Sequence, residues 1–297
     1  MWVFVRMEVR PGVTIQTWEL NTGNLNIEVD GSLFDQSSNR HQAPALQVEG
    51  SSSFNAVRGS ADIAYWSSRE TTVELIAGSI RGSFALRDLL SLKTQAGSIK
   101  VNVDPKAADE RKPKPAEFFV TSKAGSITAN FPLSGHIPSR EYRTRIESYS
   151  SSIRGSYILG ALTSINSGAG STHVDLLPFM DEENLFTKLR TDSQAGSTRL
   201  NILSPYGRSG QPWTAESSHK TSSTTGSINV IYPPEWEGKV SCESLSGSVY
   251  VKGKGVEITK DERWGPVRHV EAVKGDGVGK VSLESRSSSI RMQVGEL

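Results

Sequence analysis

Apolar and polar residues alternate along much of this chain in short, repeated runs. Ile99, Val101 and Val103 are apolar while Lys100 and Asn102 are polar. Ile127, Ala129 and Phe131 repeat the pattern, as do Thr198, Leu200 and Ile202, and Ile290, Met292 and Val294. A period of two predicts half-buried β-strands. A Gly-Ser or Ser-Ser pair precedes each run, and a second alternating series precedes the pair. That series reads Leu92, Thr94, Ala96; then Val120, Ser122, Ala124; Ile146, Ser148, Ser150; and Leu283, Ser285, Ser287. The last inward residue before the pair and the first after it are expected to be three apart, as Ala96 and Ile99 are. Strict alternation requires an even spacing, so the pair must bend the chain and reset its parity. Glycine suits such a bend because it tolerates positive φ. The small residue ahead of it is expected to fill a crowded inner corner. No segment carries a long helical period, which disfavours a βαβ architecture.

The corner recurs ten times. It reads TGNLNIEV at Thr22, AGSIRGSF at Ala77, AGSIKVNV at Ala96, AGSITANF at Ala124 and SSSIRGSY at Ser150. It continues as AGSTHVDL at Ala169, AGSTRLNI at Ala195, TGSINVIY at Thr225, SGSVYVKG at Ser246 and SSSIRMQV at Ser287. From Gly78 the corners follow through Gly97, Gly125, Ser151, Gly170, Gly196, Gly226 and Gly247 at spacings of 19, 28, 26, 19, 26, 30 and 21 residues. These lie close to the period of solenoid repeats, about 20–50 residues. The 55 residues from Gly23 to Gly78 leave room for one or two degenerate coils. RGSADIAY at Arg58 is a candidate, although Arg58 breaks the small-residue rule. Pro105, Pro132, Pro178, Pro205 and Pro233 follow the second strands, where a residue without an N–H belongs.

The pattern therefore predicts an all-β fold, a single parallel β-solenoid spanning residues 1–297 with about nine to eleven irregular coils. Residues 1–16 are expected to form an N-terminal strand or cap, 71–251 the best-defined coils and 252–297 the C-terminal coils. Rungs should stack about 4.8 Å apart, with right-handed winding expected from the general crossover rule.

Composition agrees with a thin repetitive core: 36% of residues are hydrophobic, 7% aromatic, and 27 are glycine. A net charge of +1 supplies no global attraction to nucleic acid or membrane. The single cysteine, Cys242, excludes an intramolecular disulfide and cysteine-based zinc sites. The apolar WVFV run after Met1 is cut by Arg6 and is too short for a signal core or a membrane span. The chain is accordingly expected to be soluble, and cytoplasmic by default.

The Gly-Ser-Ile rungs, together with YPPEWEGKVSCESLSGSVYV from Tyr232 and GDGVGKVSLESRSSSIRM from Gly275, resemble the adhesin-like β-solenoid domains of bacteria and fungi, a family of unknown function. The resemblance covers most of the chain. It implies a non-enzymatic solenoid acting as an interaction or surface-binding module. Members often carry a basic segment and a membrane helix upstream of the solenoid; none is expected within these 297 residues.

Candidate chemistry is sparse. The serine after each corner glycine superficially suggests a nucleophile elbow, but that motif needs a strand-to-helix turn. Here a strand follows and the serine recurs in coil after coil, so its hydroxyl is expected to bond local backbone. The glycines Gly78, Gly97, Gly125, Gly170, Gly196, Gly226 and Gly247 are read as structural corners. Cys242 shares an inward position with Leu92, Val120, Ile146 and Leu283 and reads as a small buried hydrophobe. His41, His136, His173, His219 and His269 show no ligand spacing; only His173 falls on a well-defined strand, pointing outward. No metal or cofactor is expected. Trp213, Trp236 and Trp264 are read as lids over a thin core rather than sugar-stacking platforms.

One outward position stands apart. The residue after the first apolar one reads Asn26, Arg81, Lys100, Thr128, Arg154, His173, Arg199, Asn229, Tyr250 and Arg291. Stacked coils would bring these into a stripe. Arg81, Lys100, Arg154, His173, Arg199 and Arg291 are its candidate ligand-binding residues, suited to an anionic polymer, a glycan or another protein. The plain alternative is a solvated face. A polysaccharide-active enzyme is the competing class, with Asp104 and Asp175 the nearest strand-borne acids. A purely structural, self-associating element is the third.

Thr94, Ser122, Ser148, Ser167, Ser193, Ser223, Ser244 and Ser285 occupy one inward position and are expected to stack as a buried hydroxyl ladder. Ser148→Leu should therefore overpack the core and cost about 1–3 kcal/mol. An unchanged denaturation midpoint in that variant would remove the assignment.

Overall fold

The computed structural model describes residues 12–30, 46–179, 187–207, 212–213, 215–222, 226–276 and 278–295. Residues 1–11 of the expected cap, His41 and Ser223 lie outside them. Strand follows strand through the described residues, with no helix among them and so none long and apolar enough to cross a membrane. The chain divides into two compact units, the first ending at Arg140 and the second beginning at Glu141.

In the first unit the strands come in successive pairs. They are β1 (Val13–Thr22) and β2 (Ile27–Val29), β3 (Leu46–Arg58) and β4 (Ala61–Trp66), and β5 (Glu70–Ala77) and β6 (Ile80–Leu86). β7 (Leu89–Ala96) and β8 (Ile99–Pro105), then β9 (Ala116–Ala124) and β10 (Ile127–Asn130), complete it. Odd-numbered strands form one parallel sheet, β1-β3-β5-β7-β9, and even-numbered strands a second, β2-β4-β6-β8-β10. Chain order and sheet order coincide. This alternation between two parallel sheets is compatible with a β-solenoid.

The second unit begins in the same way. Its pairs are β11 (Tyr142–Ser148) and β12 (Ile153–Leu159), β13 (Leu162–Ala169) and β14 (Thr172–Pro178), and β15 (Thr187–Ala195) and β16 (Thr198–Ile202). β17 (Ala215–Thr221) and β18 (Ser227–Tyr232), then β19 (Gly238–Ser244) and β20 (Val249–Gly253), follow. The regular winding then stops. β21 (Val256–Trp264) and β22 (Val267–Lys274) form an antiparallel hairpin on β19. β23 (Gly279–Ser285) and β24 (Ser289–Val294) return to insert between earlier strands, giving β11-β13-β15-β17-β23-β19-β22-β21 and β12-β14-β16-β18-β24-β20. Residues 252–297 are thus not a simple continuation of the coils. β23 pairs with β19 in full register, Gly238 on Gly279 through Ser244 on Ser285. A Cβ on Gly238 would lie 2.4 Å from the Gly279 carbonyl oxygen, so two glycines are what lets these strands start side by side.

Alternate side chains of both sheets are buried, among them Leu90 and Leu92 of β7 and Ile99, Val101 and Val103 of β8. Each such side chain contributes about 1.5–3 kcal/mol relative to exposure. One rung carries few of them and cannot bury its own faces, so it depends on its neighbours. In the first unit the segment between β8 and β9 is tied down separately. Arg140, 5% exposed, donates to the carbonyl oxygens of Lys106 and Lys114. Arg69 Nε donates to buried Asp88 at 2.8 Å, and its Nη1 lies 2.8 Å from Asp109.

The corners differ from expectation in one respect. Ala96, Ala124, Ala169 and Ala195 are exposed and Ala77 is half-buried, so the small residue does not fill an inner corner. The last inward residue is Thr94 or its equivalent, five before Ile99; the spacing is still odd and parity still resets. The crowding runs along the stack instead. Gly97 has φ 154°, and a Cβ there would sit 2.0 Å from the carbonyl oxygen of Gly78. Gly125 stands in the same relation to Gly97, Gly196 to Gly170, and Gly247 to Ser288. Because the preceding residue points outward, Arg58 is accommodated, and Gly59 is a genuine corner between β3 and β4. Gly226 is buried directly ahead of β18, with 223–225 outside the described residues.

The inward hydroxyls do not bond one another as a ladder. Thr94 Oγ1 donates to the Gly78 carbonyl oxygen at 2.9 Å and Ser122 Oγ to that of Gly97 at 3.2 Å. Ser148, Ser167 and Ser244 likewise donate to corner carbonyls, at 2.7, 3.1 and 3.2 Å. On β17 the position belongs to Thr221, which faces Ser193 and Ser285, rather than to Ser223.

Gly97→Ala should lower stability by about 2–3 kcal/mol, because both the φ and the space forbid the methyl group. Gly23→Ala, with nothing within 4 Å of its Cβ, should change it little. Equal denaturation midpoints for the two variants would contradict the corner geometry.

Candidate functional site

The strand register places most of the outward stripe as the sequence suggests. In the first unit Arg81 of β6 lies beside Lys100 of β8, and Lys100 beside Thr128 of β10. In the second unit Arg154 of β12, His173 of β14, Arg199 of β16 and Asn229 of β18 are successive partners. Arg291 of β24 follows Asn229, and Tyr250 of β20 closes the column. Asn26 is not a member. Ile27, not Leu25, is the first inward residue of β2, so Glu28 takes the position beside Asp62, and Asp62 lies beside Arg81. The first unit's column is therefore of mixed sign. The second unit's holds arginine at alternate rungs, with His173 and Asn229 between.

A strand's side chains alternate faces, so residues two apart share one. Ser171, Ser197, Ser227, Ser289 and Ser248 accordingly form a second outward column beside the arginines. Ser227 Oγ donates to Ser197 Oγ at 3.4 Å, and Ser248 Oγ to Ser289 Oγ at 2.9 Å. On the other side Asp175 and Asn201 are partners, Asn201 Nδ2 donating to Asp175 Oδ1 at 2.9 Å. The serine column follows from the same Gly-Ser repeat, but the sequence reading spent that serine on the corner alone. In the first unit corner serines do meet backbone: the Ser98 N–H donates to Ser79 Oγ at 3.2 Å.

On the other sheet some outward cations are paired, Arg145 with Glu147 at 2.6 Å, Lys188 with Glu216 at 3.3 Å, and Lys220 with Glu284 at 3.0 Å, while Arg190, Lys239 and Lys280 are exposed without an ion-pair partner among the described residues. Arg154, Arg199 and Arg291 are exposed and have no ion-pair partner among the described residues. Arg291 has an aromatic neighbour instead, its guanidinium carbon 5.9 Å from the Tyr250 ring centre.

The remaining candidates are inward or engaged. Cys242 is fully buried beside Leu283, and burial pushes its thiol up to about 12. Asp104 accepts from Tyr65 Oη at 2.9 Å and pairs with Lys106 at 2.7 Å. Burial, then this carboxylate, raises the Tyr65 phenol above its usual range. Among the described residues no group of three or more His, Cys, Asp or Glu could hold a metal ion. Trp213 and Trp236 are buried, bridge to each other and flank Tyr232. Trp264 is not a lid: it is 56% exposed at the end of β21, stacked on His269 with Lys260 over its ring.

His173 is not the sole strand histidine either. His269 lies on β22, 2.9 Å from Glu271. His219 lies on β17, 1% exposed, where neighbouring strands carry Thr191 and Leu283. Its Nδ1 is 2.9 Å from Thr191 Oγ1 and its Nε2 3.2 Å from the Tyr232 hydroxyl. Strict alternation along Ala215, Ser217, His219 and Thr221 marks it as inward, once the strand is recognised through its polar composition.

No protein-family model, curated protein or solved structure matches this chain.

Burial depresses the His219 imidazole to about 3. The unfolded chain then binds a proton that the folded chain refuses between about pH 6.5 and 3, so stability falls as pH is lowered through that window. At its steepest the loss is about 1.4 kcal/mol per pH unit. His219→Gln should flatten the change in denaturation midpoint between pH 7 and pH 5. An identical pH profile in the variant would show that His219 is not held neutral.

Proposed function

We propose that this chain is a non-catalytic β-solenoid of the adhesin-like type, an interaction module that holds an extended ligand along the outward face of its even-numbered sheet. The carrying observation is the column itself. Arg154, Arg199 and Arg291 are exposed at register-locked positions of one column, without ion-pair partners among the described residues and with polar columns beside them. Leaving several cations without salt bridges on a register-locked face costs little in water and keeps them available to an anionic partner. Arg81 and Lys100 offer the same chemistry in the first unit, beside Asp62. The repeated corner serines serve hydrogen bonds between rungs, which supports a structural use for them. Asp104, the best placed acid of the first unit, is committed to Tyr65 and Lys106.

The test uses the whole chain on a panel of neutral and acidic glycans, proteins and lipid vesicles at low and high salt, with a parallel assay for new reducing ends or unsaturated sugar products. The expected result is saturable binding that weakens with salt, and no product. Product formation on any polysaccharide would overturn the reading in favour of an enzyme.

A further inference from the structure

We infer that the outward face of the second unit's even-numbered sheet binds a linear acidic polysaccharide carrying one anionic group per disaccharide. The inference rests on the interaction-module reading and names the ligand class. Its basis is spacing. Arg154, Arg199 and Arg291 occupy every second rung of one column, with His173 and Asn229 between them. Parallel strands lie about 4.8 Å apart, so the guanidinium groups recur at about 9.6 Å. A pyranose ring in an extended chain advances by roughly one strand spacing. A polymer charged on every second sugar therefore presents its carboxylates or sulfates in step with these arginines. Guanidinium groups bind such anions through two parallel hydrogen bonds.

The flanking columns fit the rest of a sugar. Uncharged hydroxyls need both donors and acceptors. The serine hydroxyls at Ser171, Ser197 and Ser227 lie on one side of the arginines, and Asp175 with Asn201 on the other. At the end of the column Tyr250 is 52% exposed beside Arg291, an aromatic face on which a sugar ring can stack. Other polyanions fit less well. Duplex DNA carries one charge per about 3.4 Å of each strand, denser than these cations, and its sugars offer no free hydroxyls to the serine and Asp175–Asn201 columns. A lipid surface favours cations beside apolar side chains that enter the interface, whereas the columns here are serine, aspartate and asparagine.

The experiment titrates the full chain with hyaluronan oligosaccharides, one carboxylate per disaccharide. Polygalacturonate (one per sugar), dextran, duplex DNA and phosphatidylcholine–phosphatidylserine vesicles serve as comparators. Hyaluronan should bind most tightly. Arg154→Gln/Arg199→Gln/Arg291→Gln should weaken it by about tenfold or more, while Arg145→Gln/Lys188→Gln/Lys220→Gln on the other sheet should change it less than about twofold. Arg199→Asn/Asn229→Arg keeps the charge but breaks the spacing, and should weaken hyaluronan about as much as Arg199→Gln alone. Unchanged denaturation midpoints establish that the variants fold. The inference is overturned if hyaluronan does not bind, if the first triple variant or the spacing variant binds like the parent chain, or if polygalacturonate, DNA or vesicles bind more tightly. Binding of one of those comparators through the same arginines would end the disaccharide-repeat class while leaving the interaction module standing.

Discussion

At the corner between one strand and the next, the glycine Cα lies so close to the neighbouring rung's carbonyl oxygen that a methyl group cannot fit. Gly97 on Gly78 and Gly125 on Gly97 leave about half of a normal contact distance for a Cβ, 2.0 Å in both cases. The approach lets the corner backbones bond across the stack: Gly78 N–H reaches Ala96 O at 2.8 Å, and Gly97 N–H reaches Ala124 O at 2.9 Å. The crowding carbonyls of Gly78 and Gly97 in turn accept the inward hydroxyl of the adjoining rung, from Thr94 and Ser122 respectively. A buried backbone oxygen left without a donor would cost about 1–3 kcal/mol, so glycine and hydroxyl solve one problem together. A Ser/Thr three residues ahead of Gly is the sequence form of that solution, seen in TQAG, SKAG, SGAG and SLSG.

This constraint reaches the surface. With the corners locked rung to rung, strands cannot slip, and a slip of one residue would turn every side chain to the opposite face. The outward column is therefore as regular as the corner beneath it. Arg154, Arg199 and Arg291 keep their two-rung spacing because the register runs unbroken from β12 through β14, β16 and β18 to β24.

Much of this was legible in the sequence because period-two alternation and a repeated Gly-Ser pair are local signals. They located β7 through β10 and β11 through β16 nearly as found, and they put Arg81, Lys100, Arg154, His173, Arg199 and Arg291 on one outward position. What they missed depends on non-local or degenerate information. The exposed Ala96 lies at a point where parity has already begun to shift, so counting by twos sent it inward. Glu28 displaced Asn26 because the first corner is stretched by two residues, Ile27 lying four after Gly23 where Ile99 lies two after Gly97. The insertion of β23 between β17 and β19 cannot be read from order along the chain. Its one trace is the near identity of GKVSCES at Gly238 and GKVSLES at Gly279, two strands that lie side by side. His219 was missed because AESSHKT lacks apolar residues, and its burial follows only from the register with Thr191 and Leu283.

The central claim is that the corners are hydrogen-bonded parts of the stack and not surface loops. Residue-resolved amide hydrogen exchange at Gly59, Gly78, Gly97 and Gly170 addresses it most directly, since each of these N–H groups donates to a carbonyl of the adjacent rung. They should exchange as slowly as the amides of the buried strands, through opening that involves whole rungs. Rapid exchange at the corners, with protection confined to the strands on either side, would contradict it.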